Sequence, residues 1–345
     1  MSVRSLAREL GVSPTAVSLA LQGSPRVSPA LREKVRRLAI SQGHVPNARL
    51  TELMREVRQS AAPAYRATIG LISLFPEERP WIERPLYVHL GVVRDGARER
   101  AEAHGYKLED FWVKRPGMTP DRLAAILGAR GIRGLLCLGS LDPEERFPAA
   151  LKSFAVVTHA ASIPDRLHRV VSHFVADART LFEELLRRGY RRPGLVILVS
   201  GDRRTDHLYS ATFLSHQERK FARPPVPILR AEAWDEAEFS AWQTRHRPDV
   251  IVLHQYESYT TAVEDWLARR RIAVPRDIGL ALLDKIPDRR RHAGICQDPT
   301  LIGATATEML LGRMLLGDFG VPERPKVELV QGSWNEGQTL RPASG

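Results

Sequence analysis

The sequence predicts an α/β protein with a small all-helical unit at its N-terminus and a larger body built from two doubly wound halves. Two observations predict this class. Three short helical segments, each preceded by serine and followed by glycine, occupy the first 43 residues. From residue 67 onward, short apolar runs alternate with amphipathic stretches, as in sheets covered by helices on both faces. The 345 residues, 43% hydrophobic and 26% charged, suffice for two or three domains and exclude wholesale disorder.

The net charge of +11 is concentrated near the N-terminus. Residues 1–60 hold ten basic and four acidic side chains, a net of +6, so the other 285 residues carry 41 minus 36, or +5. This asymmetry favours a polyanion such as nucleic acid as the partner of the N-terminal segment. The alternative is an arginine-rich composition throughout the chain, of which the tract 287–292 is an example.

Three features bear on the compartment in which the protein works. No apolar run approaches the roughly eighteen residues of a membrane helix. The N-terminus lacks the apolar core of a signal peptide. Cys137 and Cys296 each lie within an apolar run, which favours buried free thiols over a disulfide. We therefore expect a cytoplasmic protein.

The N-terminal unit has the start and stop signals of three helices. The first helix lies between Ser2 and Gly11, and the segments 13–23 and 28–43 both begin with Ser-Pro and end with glycine. The tight turn between the first two helices predicts a helix-turn-helix, in which the second helix lies in the DNA major groove. Helices this short need a shared core, for which we predict Leu6, Leu10, Val12, Val17, Val27, Val35 and Leu38.

The stretch 6-LARELGVSPTAVSLALQGSPRVSPALREKVRRLAISQGHVPN-47 resembles the DNA-binding headpiece of the lactose-repressor (LacI/GalR) family of transcription regulators. The resemblance covers the headpiece without a gap, including A-x-x-x-G-V-S, V-S-x-x-x-R-E-K-V and the final P-N. It implies that the recognition helix presents four residues to the groove, Pro14, Thr15, Ser18 and Leu19. It also implies that five residues lie near phosphates or the DNA backbone, Ser13, Gln22, Arg26, Ser28 and Asn47.

Two residues of the recognition helix depart from the family pattern. Ala16 stands where the family usually has threonine, and Leu19 where arginine or histidine is common. If both face the groove, readout depends on Thr15, Arg26 and apolar contact with thymine methyl groups. The alternatives are plain surface roles and, for Leu19, packing within the headpiece.

Residues 46–60 carry apolar side chains at helical spacing before 61-AAPAY-65 interrupts the pattern. In the family this segment is the hinge helix, which pairs across a homodimer and inserts a leucine into the minor groove. Leu53 occupies that wedge position, while Leu50 stands where the family prefers alanine. The alternative is an ordinary amphipathic linker helix.

The body after residue 67 reads as alternating strands and helices. Apolar runs of four to six residues suit parallel strands that are buried on both faces, and we predict them at 68–75, 106–112, 134–139, 154–159, 169–173, 194–200, 226–230, 249–254 and 278–284. Helices are predicted at 91–104, 119–130, 177–189, 205–220, 235–246 and 257–270. Two Rossmann-like halves that divide near Arg166 fit this length. The sequence lacks G-x-G-x-x-G after a strand, a P-loop, G-x-S-x-G and H-E-x-x-H, so we do not expect an enzyme.

The body resembles the periplasmic-binding-protein-like core of the same regulators, through segments such as 131-GIRGLL-136, 274-VPRDIGLALLD-284 and 297-QDPTLIGATATEML-310. Such cores bind a small ligand between their halves. The resemblance implies a headpiece at 1–46, a hinge and linker at 47–66 and a core at 67–340. The first half of the core would comprise about 67–165 plus 296–318, and the second about 166–295 plus 319–340.

Three predicted strands end in histidine, His159, His173 and His254, and a fourth ends in Asp284. Ligands in open α/β sheets bind beyond the carboxyl ends of the strands. The resemblance adds His89 and Tyr209, and it matches Asp284 to a family acid that hydrogen-bonds effector hydroxyl groups. Ordinary strand-end roles remain the alternative for each histidine, and the spacing does not suggest a metal site. Since histidine has a reference pKa of about 6.5, an effector site built on three histidines should bind with an affinity that depends on pH between about 5.5 and 7.5.

Taken together, the resemblance implies a homodimeric transcription regulator, expected to be a repressor, that binds a roughly palindromic operator in double-stranded DNA. A small-molecule effector, with a sugar as the first class to consider, would control operator affinity, and no cofactor or metal is implied. The rivals are a small-molecule-binding protein whose headpiece does not read DNA and an enzyme on the same scaffold.

Overall fold

The computed structural model describes residues 3–21, 27–41, 67–84, 87–140, 142, 144–159, 161–254, 257–285 and 291–343. Its N-terminal unit contains α1 (Val3–Leu10), α2 (Pro14–Leu21) and α3 (Pro29–Ser41). Gly11 adopts a left-handed φ of 64°, which ends α1 as a glycine after a helix commonly does. The three helices enclose one small apolar core, and the buried or partly buried members include all seven predicted residues.

The first sheet of the body has six strands in the order β11-β5-β4-β3-β1-β2, and each pair is parallel. These strands are β1 (Ala67–Ser73), β2 (Tyr106–Trp112), β3 (Gly134–Cys137), β4 (Ala155–Thr158), β5 (His168–Ser172) and β11 (Val327–Val330). The helices of this half are α4 (Pro80–Glu83), α5 (Val88–Ala103), α6 (Pro120–Ala129) and α12 (Pro299–Leu316). β3 and β4 are buried throughout, as uninterrupted apolar strands between helices should be.

The second sheet also has six strands, in the order β12-β10-β9-β8-β6-β7. Its strands are β6 (Pro193–Leu198), β7 (Leu229–Ala231), β8 (Val250–Leu253), β9 (Gly279–Lys285), β10 (Ala293–Cys296) and β12 (Ser333–Asn335), of which only β12 is antiparallel to its neighbour. Its helices are α7 (Phe174–Arg187), α8 (Val199–Arg204), α9 (Leu208–Lys220), α10 (Glu236–His246) and α11 (Glu257–Arg269). The fold class predicted from the sequence is thus confirmed.

The chain passes between the two sheets at positions other than those predicted. β5 pairs with β4, and β11 pairs with β5, so both belong to the first sheet. The predicted division near Arg166 and the assignment of all of 319–340 to the second half are therefore wrong. Strand partners are chosen by hydrogen bonding between distant segments, which a count of βα units along the chain does not reveal.

One predicted helix and one predicted strand also differ from the structure. The expected helix over 205–220 is present as α9 but begins later, at Leu208, because Asp206 and His207 adopt left-handed φ values of 51° and 58°, and the short helix α8 precedes it unpredicted. The expected strand over 226–230 is confined to Leu229–Ala231. The break between α8 and α9 matters for the site, since it places Arg204 at the end of one helix and Tyr209 near the start of the next.

Two glycines allow α5 and α12 to cross in close contact. A Cβ atom on Gly303 would lie 2.0 Å from the carbonyl oxygen of Val93, and one on Gly96 would lie 2.3 Å from that of Thr300. Close backbone approach of this kind requires residues without a side chain. The crossing fixes α12, which follows the second sheet in the chain, onto the first half of the body.

The two cysteines are free thiols, as expected. Cys137 is buried in β3, and burial raises the pKa of its thiol to about 12. Within the described part of the chain, no helix is both long enough and apolar enough to cross a membrane.

Candidate functional site

The N-terminus of α2 is exposed, and its serine is used for capping. Ser13, Pro14 and Thr15 are exposed, and the Ser13 Oγ accepts a hydrogen bond of 3.1 Å from the backbone N–H of Ala16. Ser28 caps α3 in the same way, accepting from the N–H of Leu31 at 3.3 Å. Pro14 and Thr15 are thus accessible to a DNA groove, as predicted, whereas Ser13 and Ser28 cap helices.

Leu19 contributes to packing within the headpiece, and its contact with DNA stays a prediction. It is partly buried and packs against the headpiece core, so the structure favours the alternative of packing within the headpiece. Ala16 is half-buried on the same helix. Of the other predicted DNA-contacting residues, Gln22, Arg26, Asn47 and Leu53 lie outside the described residues, as does the side chain of Ser18; the predicted hinge helix lies outside them too.

In the body, one group of predicted residues belongs to the first sheet and its helices. His159 directly follows β4, and His89 lies in the first turn of α5, with their ring centroids 6.4 Å apart. The ring of Tyr87, which precedes α5, lies 6.2 Å from that of His89. Burial, together with the positive charge of Arg204, lowers the pKa of His159 to about 4. The imidazole of His159 is therefore neutral at physiological pH.

A second group belongs to the second sheet. Tyr209 in α9 is fully buried, and its ring lies 5.2 Å from His254, which follows β8. Phe174 at the start of α7 contacts the other side of Tyr209, with ring centroids 5.2 Å apart. Burial lowers the pKa of His254 to about 4, and nearby Arg204 adds to this effect. The expectation that the cleft histidines titrate between about pH 5.5 and 7.5 is wrong for His159 and His254, since both are kept neutral by burial.

His173 does not join these groups. It is the N-cap of α7, where its Nδ1 accepts a hydrogen bond of 3.4 Å from the N–H of Ala176. Within the described ranges, no ring contact or hydrogen bond links it to the other five predicted effector residues, which favours its structural alternative. Nor do any three histidine, cysteine or acidic side chains of the described residues form a group that could hold a metal ion.

Gln297 connects the two halves beside Tyr209. Its Nε2 donates a hydrogen bond of 3.0 Å to the Tyr209 hydroxyl, and its Oε1 accepts one of 2.8 Å from Ser172 at the end of β5. The Tyr209 hydroxyl in turn donates to the carbonyl of Leu283 at 3.4 Å. Burial is the main reason why the pKa of Tyr209 lies well above its ordinary value, so its hydroxyl keeps its proton.

Asp284 shares its surroundings with a second acid that the sequence reasoning missed. Asp284 lies near the end of β9, and burial together with the charge of Asp177 raises its pKa to about 6. Asp177, in the first turn of α7, is fully buried and also has a pKa raised by burial to about 6. Its Oδ1 accepts a hydrogen bond of 2.9 Å from the N–H of Gly332. An acid in the first turn of a helix resembles an ordinary surface residue, so no signal in the sequence marked Asp177.

Arg204 is the second residue that sequence reasoning missed. It ends α8, after β6 of the second sheet, and its Nη1 donates a hydrogen bond of 2.9 Å to the hydroxyl of Tyr87 on the first half. The guanidinium lies 5.1 Å from the centroid of the Tyr87 ring. Its charge lowers the pKa of His159, His254 and Asp284. Arg204 therefore lies where both groups of predicted residues meet.

The comparisons with known proteins agree with this architecture. The periplasmic binding protein-like domain family matches residues 182–340. A structure of the transcriptional regulator CelR in complex with cellobiose is similar over 98% of this chain and 99% of its own, with a TM-score of 0.58 and 18% identity. The chain has the fold of the LacI/GalR regulators.

Two further LacI-type structures show the same likeness. The lac repressor dimer bound to operator and the anti-inducer ONPF matches over 99% of both chains, with a TM-score of 0.56 and 17% identity. A periplasmic binding protein/LacI transcriptional regulator from Alkaliphilus metalliredigens, complexed with D-xylulofuranose, covers 79% of this chain and 98% of its own, with a TM-score of 0.55 and 16% identity. The search among curated protein sequences gave no match. The resemblance of the sequence to LacI/GalR regulators is thus confirmed in the fold.

Proposed function

We propose that this protein is a DNA-binding transcription regulator, acting as a repressor, whose operator affinity is controlled by a small molecule bound in the cleft of its core. The observation that carries the proposal is the combination of two parts in one chain. A helix-turn-helix headpiece with an exposed recognition-helix N-terminus precedes a two-sheet core whose polar strand ends meet. The structural neighbours with this combination are named as transcription regulators rather than enzymes.

DNA binding by the headpiece would depend mainly on charge. Residues 1–60 hold ten basic and four acidic side chains, and two copies in a homodimer would double this excess on a roughly palindromic operator. Neutralising several phosphates in each half-site makes the logarithm of affinity fall with the logarithm of salt concentration, with a slope several units negative. The experiment is selection of an operator from random duplexes by the purified protein, followed by titration at increasing salt. A slope near zero contradicts DNA binding.

Effector control would depend on the cleft formed by Tyr87, His89, His159, Tyr209, His254 and Asp284. In this fold a ligand that bridges the two halves can change their orientation, and allosteric coupling of this kind typically amounts to 1–3 kcal/mol. We expect Asp284→Ala to abolish the response of operator binding to effector while operator affinity without effector is retained, since Asp284 lies in the core. A full response to effector in this variant would show that the effector binds at another site.

A second candidate function is binding of a small molecule without reading of DNA. The observation that favours it is the packing of Leu19 against the headpiece core, which is the alternative to its predicted contact with a base. The operator selection separates the two candidates, because a headpiece that does not read DNA enriches no sequence while the core still binds its ligand.

A further inference from the structure

The cleft contains opposite charges that do not pair with one another. Among the residues that the structure describes, Arg204 forms no ion pair with a carboxylate, and its hydrogen bond goes to the neutral hydroxyl of Tyr87. Asp284 makes neither an ion pair nor a side-chain hydrogen bond within the same described set. The two groups are nevertheless close enough for Arg204 to lower the pKa of Asp284. Arg204 follows β6 and Asp284 lies near the end of β9, and β8 alone separates these two parallel strands, so the guanidinium and the carboxylate lie at the same edge of the second sheet without pairing.

Asp284 lies beside a second acid. Asp177, the neighbouring acid, is fully buried, and its Oδ2 has no hydrogen-bond partner among the described residues. Of the predicted effector residues nearby, His159 and His254 are neutral and Tyr209 keeps its proton. Partly desolvated charges without partners are costly, and a ligand that supplies both partners recovers that cost.

We propose that the effector of this cleft is a small zwitterion, whose carboxylate binds Arg204 and whose ammonium group binds Asp284. This proposal rests on the proposed effector control and names the chemical class of the effector. A guanidinium binds a carboxylate through two parallel N–H···O bonds, and only the Nη1 of Arg204 is engaged with Tyr87. The rings of Tyr209 and His254 contact one another, and the Tyr209 hydroxyl reaches the carbonyl of Leu283 next to Asp284, so they offer an uncharged surface to a short linker. A neutral sugar would leave both charges without a partner.

The contact of Arg204 with Tyr87 explains how such a ligand would be sensed. Arg204 follows the second sheet, whereas Tyr87 precedes α5 of the first half. A carboxylate bound to Arg204 would hold the guanidinium against both halves at once. An ammonium on Asp284 would fix the other end of the ligand to the second sheet. The ligand would therefore stabilise one relative orientation of the halves, as an effector must.

The test measures binding of matched probes to the full-length protein by calorimetry. Glucose is neutral, gluconate carries only a carboxylate, glucosamine carries only an ammonium group, and glucosaminate together with the standard protein amino acids carries both. We expect at least one zwitterion to bind and the three other classes to bind at least about ten-fold more weakly, because each lacks one or both charge pairs. Binding of glucose as tight as that of any zwitterion, or binding of no zwitterion, overturns the proposal.

Variants with matched controls locate the two ends of the ligand. Arg204→Gln and Asp284→Asn should each weaken the bound zwitterion about ten-fold or more. Arg203→Gln, next to Arg204 in α8, and Asp265→Asn in α11 remove the same charges from exposed positions and should leave its affinity unchanged. Unchanged affinity in Arg204→Gln or in Asp284→Asn contradicts the assignment. Operator binding is measured separately. A protein that binds its operator, and whose operator affinity responds to glucose, would contradict the zwitterion proposal but not the proposed function.

Discussion

Replacement of Asp177 by asparagine should stabilise the protein at neutral pH. The carboxylate is fully buried, one oxygen accepts the Gly332 N–H at 2.9 Å, and burial raises its pKa from the ordinary 3.8 to about 6. One pKa unit corresponds to about 1.4 kcal/mol, so ionising this group in the folded protein costs about 3 kcal/mol. Asparagine keeps the acceptor for Gly332 but introduces a buried amide N–H₂ group, which offsets about 1–2 kcal/mol of the gain. We expect a net stabilisation of about 1–2 kcal/mol.

The sign of the pH dependence follows from the raised pKa. The folded protein binds the proton of Asp177 more tightly than the unfolded chain does, so the stability from protonation is fully present below about pH 4. It is lost as the pH rises through about 6. The advantage of Asp177→Asn, which cannot ionise, should therefore be largest above about pH 7 and disappear near pH 4.

Urea unfolding followed by tryptophan fluorescence measures this effect, since the chain contains six tryptophans. Wild type and Asp177→Asn are compared at about pH 7.5 and pH 4.5, with Glu218→Gln, which removes an exposed acid from α9, as the control. The control should leave the unfolding midpoint unchanged at both values. An Asp177→Asn midpoint that equals wild type at pH 7.5, or a gain of equal size at both pH values, would refute the reasoning from burial.

Four further outcomes are expected. Gly303→Ala should lower the melting temperature, because its Cβ would lie 2.0 Å from a backbone oxygen of α5. Gly312→Ala, the control on the same helix, meets nothing within 4 Å and should be neutral or slightly stabilising. Equal melting temperatures of the two variants would contradict the close crossing. Ser13→Ala should lower the free energy of unfolding of the headpiece by about 1 kcal/mol, measured by thermal unfolding. An unchanged stability would contradict the capping role of Ser13. Leu53→Ala should weaken specific operator binding by about 1–3 kcal/mol without changing effector affinity, and unchanged DNA affinity and bending would favour an ordinary linker helix. Zwitterion affinity should fall between about pH 7 and pH 5 as Asp284, which lies near both Asp177 and Arg204, takes up a proton; calorimetry that shows flat affinity would contradict this.

Local signals predicted most of the elements of this protein. The two Ser-Pro starts place α2 and α3 correctly, because capping and the fixed φ of proline act within one turn of helix. The apolar runs locate β3, β4 and β8 to within two residues, since a strand buried on both faces must be apolar along its whole length. The strand-end rule also identified His159, His254 and Asp284, which lie within reach of the charge of Arg204.

The site was predicted less completely than the fold. His173 ends a strand just as His159 does, yet it caps α7, and the sequence pattern of the two residues is the same. Asp177 and Arg204 occupy positions that are typical of solvated helix ends, so their type and spacing gave no reason to select them. Their importance comes from burial and from neighbours that are distant along the chain, such as Gly332 and Tyr87.

What the sequence by itself determined is therefore the α/β class, the helix-turn-helix headpiece, the free cysteines and most strand and helix positions. Each of these depends on interactions between residues a few positions apart or on the polarity of a single segment. Only the tertiary structure decided that β5 and β11 join the first sheet, that α12 crosses α5 at two glycines, and that Asp284 lies near both Asp177 and Arg204. Strand pairing and the electrostatics of a cleft are set by desolvation and by contacts between distant segments, and neither is encoded in a local pattern.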